Sequence, residues 1–129
     1  MTNAIGRPPI TPAQHAFLDY GVAAMFFGLA YHYRHRNPSA SALALTNGAM
    51  VLGVSLFTDY PGGVWKRLPF ATHGTLDAVQ AALAGTGPHL FGFADQPEAH
   101  TFQLQALSEA AVIAATDWDA GRNEDQFAL

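Results

Sequence analysis

Cysteine is absent from the 129 residues, which excludes disulfides, thiolate metal sites, cysteine nucleophiles and iron–sulfur clusters. Charge is scarce. Asp, Glu, Lys and Arg make up 12% of the chain, against roughly 25% in an ordinary soluble domain, while AVILMFWYC residues reach 50%. A disordered tail or a coiled coil needs far more charge than this. Basic residues are the scarcer sign, 6 against 10 acidic ones, so the formal charge of −4 gives no general attraction to nucleic acid. No Walker A loop, Rossmann glycine pattern, HExxH or G-x-S-x-G motif occurs. The opening MTNAIGRPPITPAQ has no apolar run after Arg7 and reads as an extended lead-in, not a cleavable signal peptide.

What the chain does have is four apolar stretches separated by short charged clusters, at 17–33, 41–57, 76–94 and 102–118. Each approaches the roughly 20 residues that cross a bilayer. The second, SALALTNGAMVLGVSLF, contains no charge and is flanked by Pro38 and by Pro61-Gly62-Gly63. The first and third carry Asp19 and Asp77 near their starts, and the fourth is interrupted by Gln103, Gln105 and Glu109. A mean hydropathy of +0.10 is low for a membrane protein, so a soluble four-helix bundle is the alternative. The second stretch lacks the polar face such a bundle requires, and small residues such as Gly21, Gly28, Gly48, Gly53 and Gly85 suit close helix packing in lipid. The expected fold is all-α, with four transmembrane helices.

The chain also repeats itself at an offset of 58 residues, the distance from His15 to His73. His15-x-x-Leu18-Asp19 aligns with His73-x-x-Leu76-Asp77, Ala23-Ala24 with Ala81-Ala82, Val54 with Val112, and Thr58-Asp59-Tyr60 with Thr116-Asp117-Trp118. This gives a lead-in at 1–14, one hairpin repeat at 15–63, a basic connecting loop at 64–72, a second hairpin at 73–121 and a tail at 122–129. Two hairpins entering from the same side form a parallel repeat, with a pseudo-two-fold axis along the membrane normal. Arg7, Lys66, Arg67 and Arg122 on the side of the termini outnumber Arg34 and Arg36 opposite, which places both termini in the cytoplasm.

The two HxxLD motifs, the TDY at 58–60 and Gly87-Pro88-His89-Leu90-Phe91-Gly92-Phe93 together resemble the SPW-repeat family of small bacterial four-span membrane proteins. In that family the first helix of each hairpin ends in Ser-Pro-Trp, often followed by leucine-phenylalanine-glycine-phenylalanine. The resemblance covers about 15–120, with Gly87-Pro88-His89 standing in for the motif in the second copy and Ala30-Tyr31-His32 in the first. It implies a multi-pass protein of the bacterial inner membrane and no established activity.

Several residues could carry chemistry. His15 and Asp19, like His73 and Asp77, are spaced i, i+4 and share a helix face. Antiparallel packing adds Thr58-Asp59 and Thr116-Asp117 at the same end. Two imidazoles and four carboxylates suit a divalent metal. The structural alternative is a hydrogen-bonded clasp between repeats. Glu109 falls within the fourth stretch, where a carboxylate is costly unless partnered, and Asn47, Gln80, Thr86 and Gln105 are the polar groups available. His32, His89 and His100 at the other end offer haem ligands or, with His35, Tyr31 and Tyr33, headgroup anchors. Pro88 should kink or end the third helix early and leave 90–93 as a re-entrant or interfacial segment against which the fourth helix packs. Trp65-Lys66-Arg67 forms a loop suited to an anionic lipid surface.

The function expected from these features is non-catalytic: an accessory or assembly subunit of a larger membrane complex, or a homo-oligomer, with the bilayer and other membrane subunits as partners and no nucleic acid. The alternatives are a metal-binding or proton-relaying protein built on the His/Asp set, and a haem-binding electron carrier.

Overall fold

Helix starts follow from local capping. In the computed structural model, which describes residues 6–120, α1 spans Pro12–Tyr33, α2 Pro38–Phe57, α3 Phe70–Leu90 and α4 Ala99–Ala115. Thr11 and Gln14 close a capping box, the Gln14 amide donating to the Thr11 hydroxyl and the Gln14 side chain accepting from the Thr11 amide, with Pro12 at the first helical position. Asn37 caps α2 by accepting from the Ala40 amide, again ahead of a proline. The Arg122 counted for orientation and the 122–129 tail lie outside the described residues.

The end of α3 corrects an expectation. Pro88 lies in the last turn, where it forgoes the amide bond to the Ala84 carbonyl, yet the helix runs on to Leu90. Gly92 then takes φ +79°, and the Phe93 amide returns to the Pro88 carbonyl. Phe93 is thereby buried against Phe102 of α4, ring centroids 5.6 Å apart, so α4 packs on 90–93 as expected, while the segment itself caps the helix and folds back onto the bundle.

The helices form two hairpins, α1 on α2 and α3 on α4, with α2 packed against α3. Phe26, Leu43, Ala44, Phe93 and Phe102 centre the main apolar core. A smaller cluster of Ala16, Tyr60 and Phe70, with Trp118, lies at the end where α1 and α3 begin. Of the four helices only α2 is long and apolar enough, by length and composition, to qualify as a membrane span.

The backbone carries the repeat as well. Ile10, ahead of α1, accepts from the Asp117 amide and donates to the Ala115 carbonyl at the end of α4. Leu68, ahead of α3, makes the same two bonds with Asp59 and Phe57 at the end of α2. Each first helix is thus anchored to the end of the other hairpin's second helix, and the last helix is tied back to the first.

Candidate metal centre

Those two anchors set the register of four ionisable side chains. His15 and His73 occupy the fourth position of α1 and α3, and Asp19 and Asp77 follow one turn later, so all four point between the hairpins at one end of the bundle. All are buried, both histidines to within 1% of complete occlusion. His15 Nε2 lies 3.3 Å from Asp19 Oδ1 and 2.9 Å from Asp77 Oδ2. His73 Nε2 lies 3.0 Å from Asp19 Oδ2 and 3.1 Å from Asp77 Oδ1. Each carboxylate therefore bridges both rings with its two oxygens. One ligand atom from each of the four residues can be chosen so that all lie within 4.8 Å of one another.

The other ring nitrogens settle the tautomers. His15 Nδ1 is 2.9 Å from the Thr116 hydroxyl and His73 Nδ1 is 2.7 Å from that of Thr58. Each threonine donates its only hydroxyl proton to the carbonyl four residues back, Val112 or Val54, at 2.6 Å. The hydroxyl oxygen must then accept, so Nδ1 carries hydrogen in both rings. Nε2 of each ring faces the carboxylates, and that of His15 donates to Asp77 Oδ2 at 2.9 Å, so without an ion His15 carries hydrogen on both nitrogens. His73 Nε2 is fully buried and, although 3.0 and 3.1 Å from two oxygens, is aligned for a hydrogen bond with neither.

Such an arrangement suits a divalent cation. Tetrahedral bonds of about 2.0–2.1 Å set ligand atoms about 3.3 Å apart; the nitrogen–oxygen contacts are near that spacing, and the four ligand atoms, within 4.8 Å of one another, would draw in around an ion. Two neutral imidazoles, two carboxylates and one divalent ion sum to zero charge, which a buried site requires. The threonine hydroxyls supply the outer hydrogen bonds that orient metal-bound histidines. Tyr60 adds one more, its hydroxyl donating to Asp19 Oδ2 at 2.8 Å. Burial and the adjacent Asp19 charge push the Tyr60 hydroxyl above its ordinary value, so it stays a donor.

Of the six residues expected to gather here, four do. The side chains of Asp59 and Asp117 do not join the quartet: Asp59 is half-buried, and Asp117 lies 3.9 Å from Arg7. Their backbone amides make the cross-hairpin bonds, and the preceding threonines reach the histidines instead. Thr58 and Thr116, expected at this end beside the aspartates, are the residues that reach the histidines, and Tyr60 is the one to which the sequence assigned no part in the site.

Glu109 is buried at 6% exposure, but none of its four expected partners reaches it. Gln80 donates to Asn47 Oδ1 at 2.8 Å and to Gln105 Oε1 at 3.1 Å, and Thr86 donates to its own helix at Ala82. His32, His89 and His100 are all exposed, as is His35, so the three do not enclose a buried haem cavity; His32 lies 3.4 Å from Arg36, its ring tilted against that of Tyr33. Trp65, Lys66 and Arg67 are exposed beside the quartet end, with Trp65 stacked on Phe57 at 5.2 Å.

No family model, no curated protein and no solved structure matches the chain.

Proposed function

We propose that this chain is a small four-helix membrane protein that binds one divalent metal ion, of the borderline class to which zinc belongs, where its two repeats meet. The observation that carries this reading is the convergence of His15, Asp19, His73 and Asp77, with His73 Nε2 buried, within 3.1 Å of both carboxylates and aligned for a hydrogen bond with neither. Four protein ligands are the pattern of a closed, structural site rather than a catalytic one, which keeps an open position. The ion would lock one hairpin to the other, a role in keeping with an accessory or assembly protein that performs no chemistry itself.

Placement in a bilayer, with the termini on the cytoplasmic side of a bacterial inner membrane, is part of the same reading. It is supported by where charge is found: Asp19, Asp77 and Glu109 are the Asp, Glu, Lys or Arg residues of the four helices, and all three are buried. The outer faces present Phe17, Leu45, Val79, Leu104 and Leu107 instead. Outward hydroxyls satisfy themselves on their own helix, Thr46 at Ala42, Thr86 at Ala82 and Ser108 at Leu104. A polar interior beneath an apolar exterior is stable against lipid and costly against water.

Cobalt(II) titration of the detergent-purified protein tests the metal reading. A tetrahedral site gives intense visible absorption that saturates and is lost in His73→Ala; no such band with the wild-type chain would contradict it. Resistance of the native protein to alkaline extraction from membranes tests its placement, and release into the supernatant would contradict that part.

A further inference from the structure

The repeat makes two helix seams equivalent, α2 against α3 and α4 against α1, and α2 packs on α3. There, Gly87 admits Leu43 so closely that a Cβ on the glycine would come within 2.6 Å of the leucine. Along α1 and α4 the chain is joined at both ends, by the Ile10 pairing and by the Tyr33 and Thr101 hydroxyls 3.3 Å apart. Between these ties lies a cleft of about 440 Å³. Three exchanges between the repeats open it. At the 58-residue offset Leu43 becomes Thr101, Met50 becomes Ser108 and Val51 becomes Glu109, and all three α4 residues line the cleft. Leu18, Val22 and Met25 form the opposite, apolar wall.

Glu109 is buried, faces this cleft, and has neither a hydrogen bond nor an ion pair among the described residues. The quartet beside it gives Glu109 no bond, so its carboxyl group is left without a partner on the wall of a largely apolar slot. Asp19, the other carboxylate on the wall, is already engaged by both histidines and Tyr60. One carboxylate is too few ligands for a second metal ion, but it matches a single ammonium group. The volume lies within the usual range for small-molecule sites.

We infer that the α1–α4 cleft binds an organic monocation, a primary ammonium carried on an apolar body, with the nitrogen on Glu109 and the hydrocarbon against Leu18, Val22 and Met25. The hydroxyls of Thr101 and Ser108 give the polar edge along which such a headgroup enters. The metal has no part in the inference, and its failure would leave this one standing.

The chain's own methionines provide the readout. Met25 lines the cleft, whereas Met50 lies on α2, away from it. Full-length protein in nonionic detergent, carrying ¹³C-methyl methionine, is titrated with phenethylammonium and with phenethyl alcohol, a neutral probe of similar shape. The Met25 signal should shift saturably while Met50 stays still, with affinity for the ammonium at least about tenfold above that for the alcohol. Glu109→Gln should remove that preference. The combined variant Thr101→Leu, Ser108→Met and Glu109→Val, which copies residues the other seam already accommodates, should abolish the response with helix content preserved. Equal binding of alcohol and ammonium, an unchanged preference in Glu109→Gln, or no saturable shift at Met25 would each overturn the proposal. Displacement of the probe by lysophosphatidylethanolamine but not by lysophosphatidylcholine would assign the ammonium to a lipid headgroup; no displacement by either would assign it to a free amine.

Discussion

Tyr60 closes the second helix of the first hairpin and Trp118 closes that of the second, yet only the tyrosine reaches the shared carboxylates. Its hydroxyl donates to Asp19, whereas the Trp118 indole donates to the Ile113 carbonyl. Their neighbours differ to match. Ala16 packs in the cluster with Tyr60, and at the equivalent place beneath the larger indole stands Gly74, where a Cβ would lie 3.1 Å from the Trp118 ring. By contrast, the Ile10 and Leu68 pairings, the two threonine–histidine bonds and the His/Asp quartet agree between the halves almost atom for atom. The hairpins are alike where each must meet the other across their common axis. Away from the axis, a change in one copy does not have to be tolerated twice, and there Tyr60, Gly74 and Glu109 have diverged.

The strongest way to break this comparison is to remove the histidines one at a time. His15→Ala and His73→Ala each strand buried carboxylates, so each is expected to cost about 3–5 kcal/mol of stability. Equivalent sites should agree to within about 0.5 kcal/mol. Thermal or denaturant unfolding checks this, and a large difference would show that one repeat owns the site. Next in size are the orienting hydroxyls. Thr58→Val and Thr116→Val should each weaken metal binding by about 10–100-fold, measured by chelator competition, with similar losses on the two sides.

Tyr60→Phe sharpens the asymmetric part. It removes a donor that only one carboxylate has and should cost about 1 kcal/mol of stability. Trp118→Phe should leave Asp77 unaffected, because the indole never touched it. Smallest is the fit of ring to helix. Gly74→Ala should destabilise by about 1 kcal/mol through crowding against Trp118, and Trp118→Tyr in the same chain, which rebuilds the Ala16–Tyr60 pair of the first repeat, should restore part of the loss.

Much of this was legible in the sequence. Four helices follow from the apolar stretches and their proline and asparagine boundaries, and the 58-residue offset is carried by His15, Asp19, His73 and Asp77 themselves. Their i, i+4 spacing places each pair on one helix face whatever the tertiary structure. At the ends of α2 and α4 the sequence was a poorer guide. Thr58 and Asp59 repeat equally well as Thr116 and Asp117, and the aspartates are the stronger ligands by type. Which of two consecutive residues turns inward depends on where the helix stops, and it stops on the threonine in both copies. The cleft depends on knowing that α4 lies beside α1. Only then do Thr101, Ser108 and Glu109 read as gaps opposite the α2–α3 seam rather than as scattered polar residues. His89 and His100 illustrate the converse, since residue type suggested ligation but their position near helix ends turns them outward.

Metal content per chain tests the meeting of the two repeats most directly. Protein purified without chelator in a mild detergent, reloaded with zinc, dialysed and analysed by elemental mass spectrometry, should hold one ion per chain. Asp77→Asn, which keeps the side-chain shape, should hold none while retaining its helix content. Two ions per chain, no ion in the wild type, or an ion that survives the loss of Asp77 would contradict a single site shared between the hairpins.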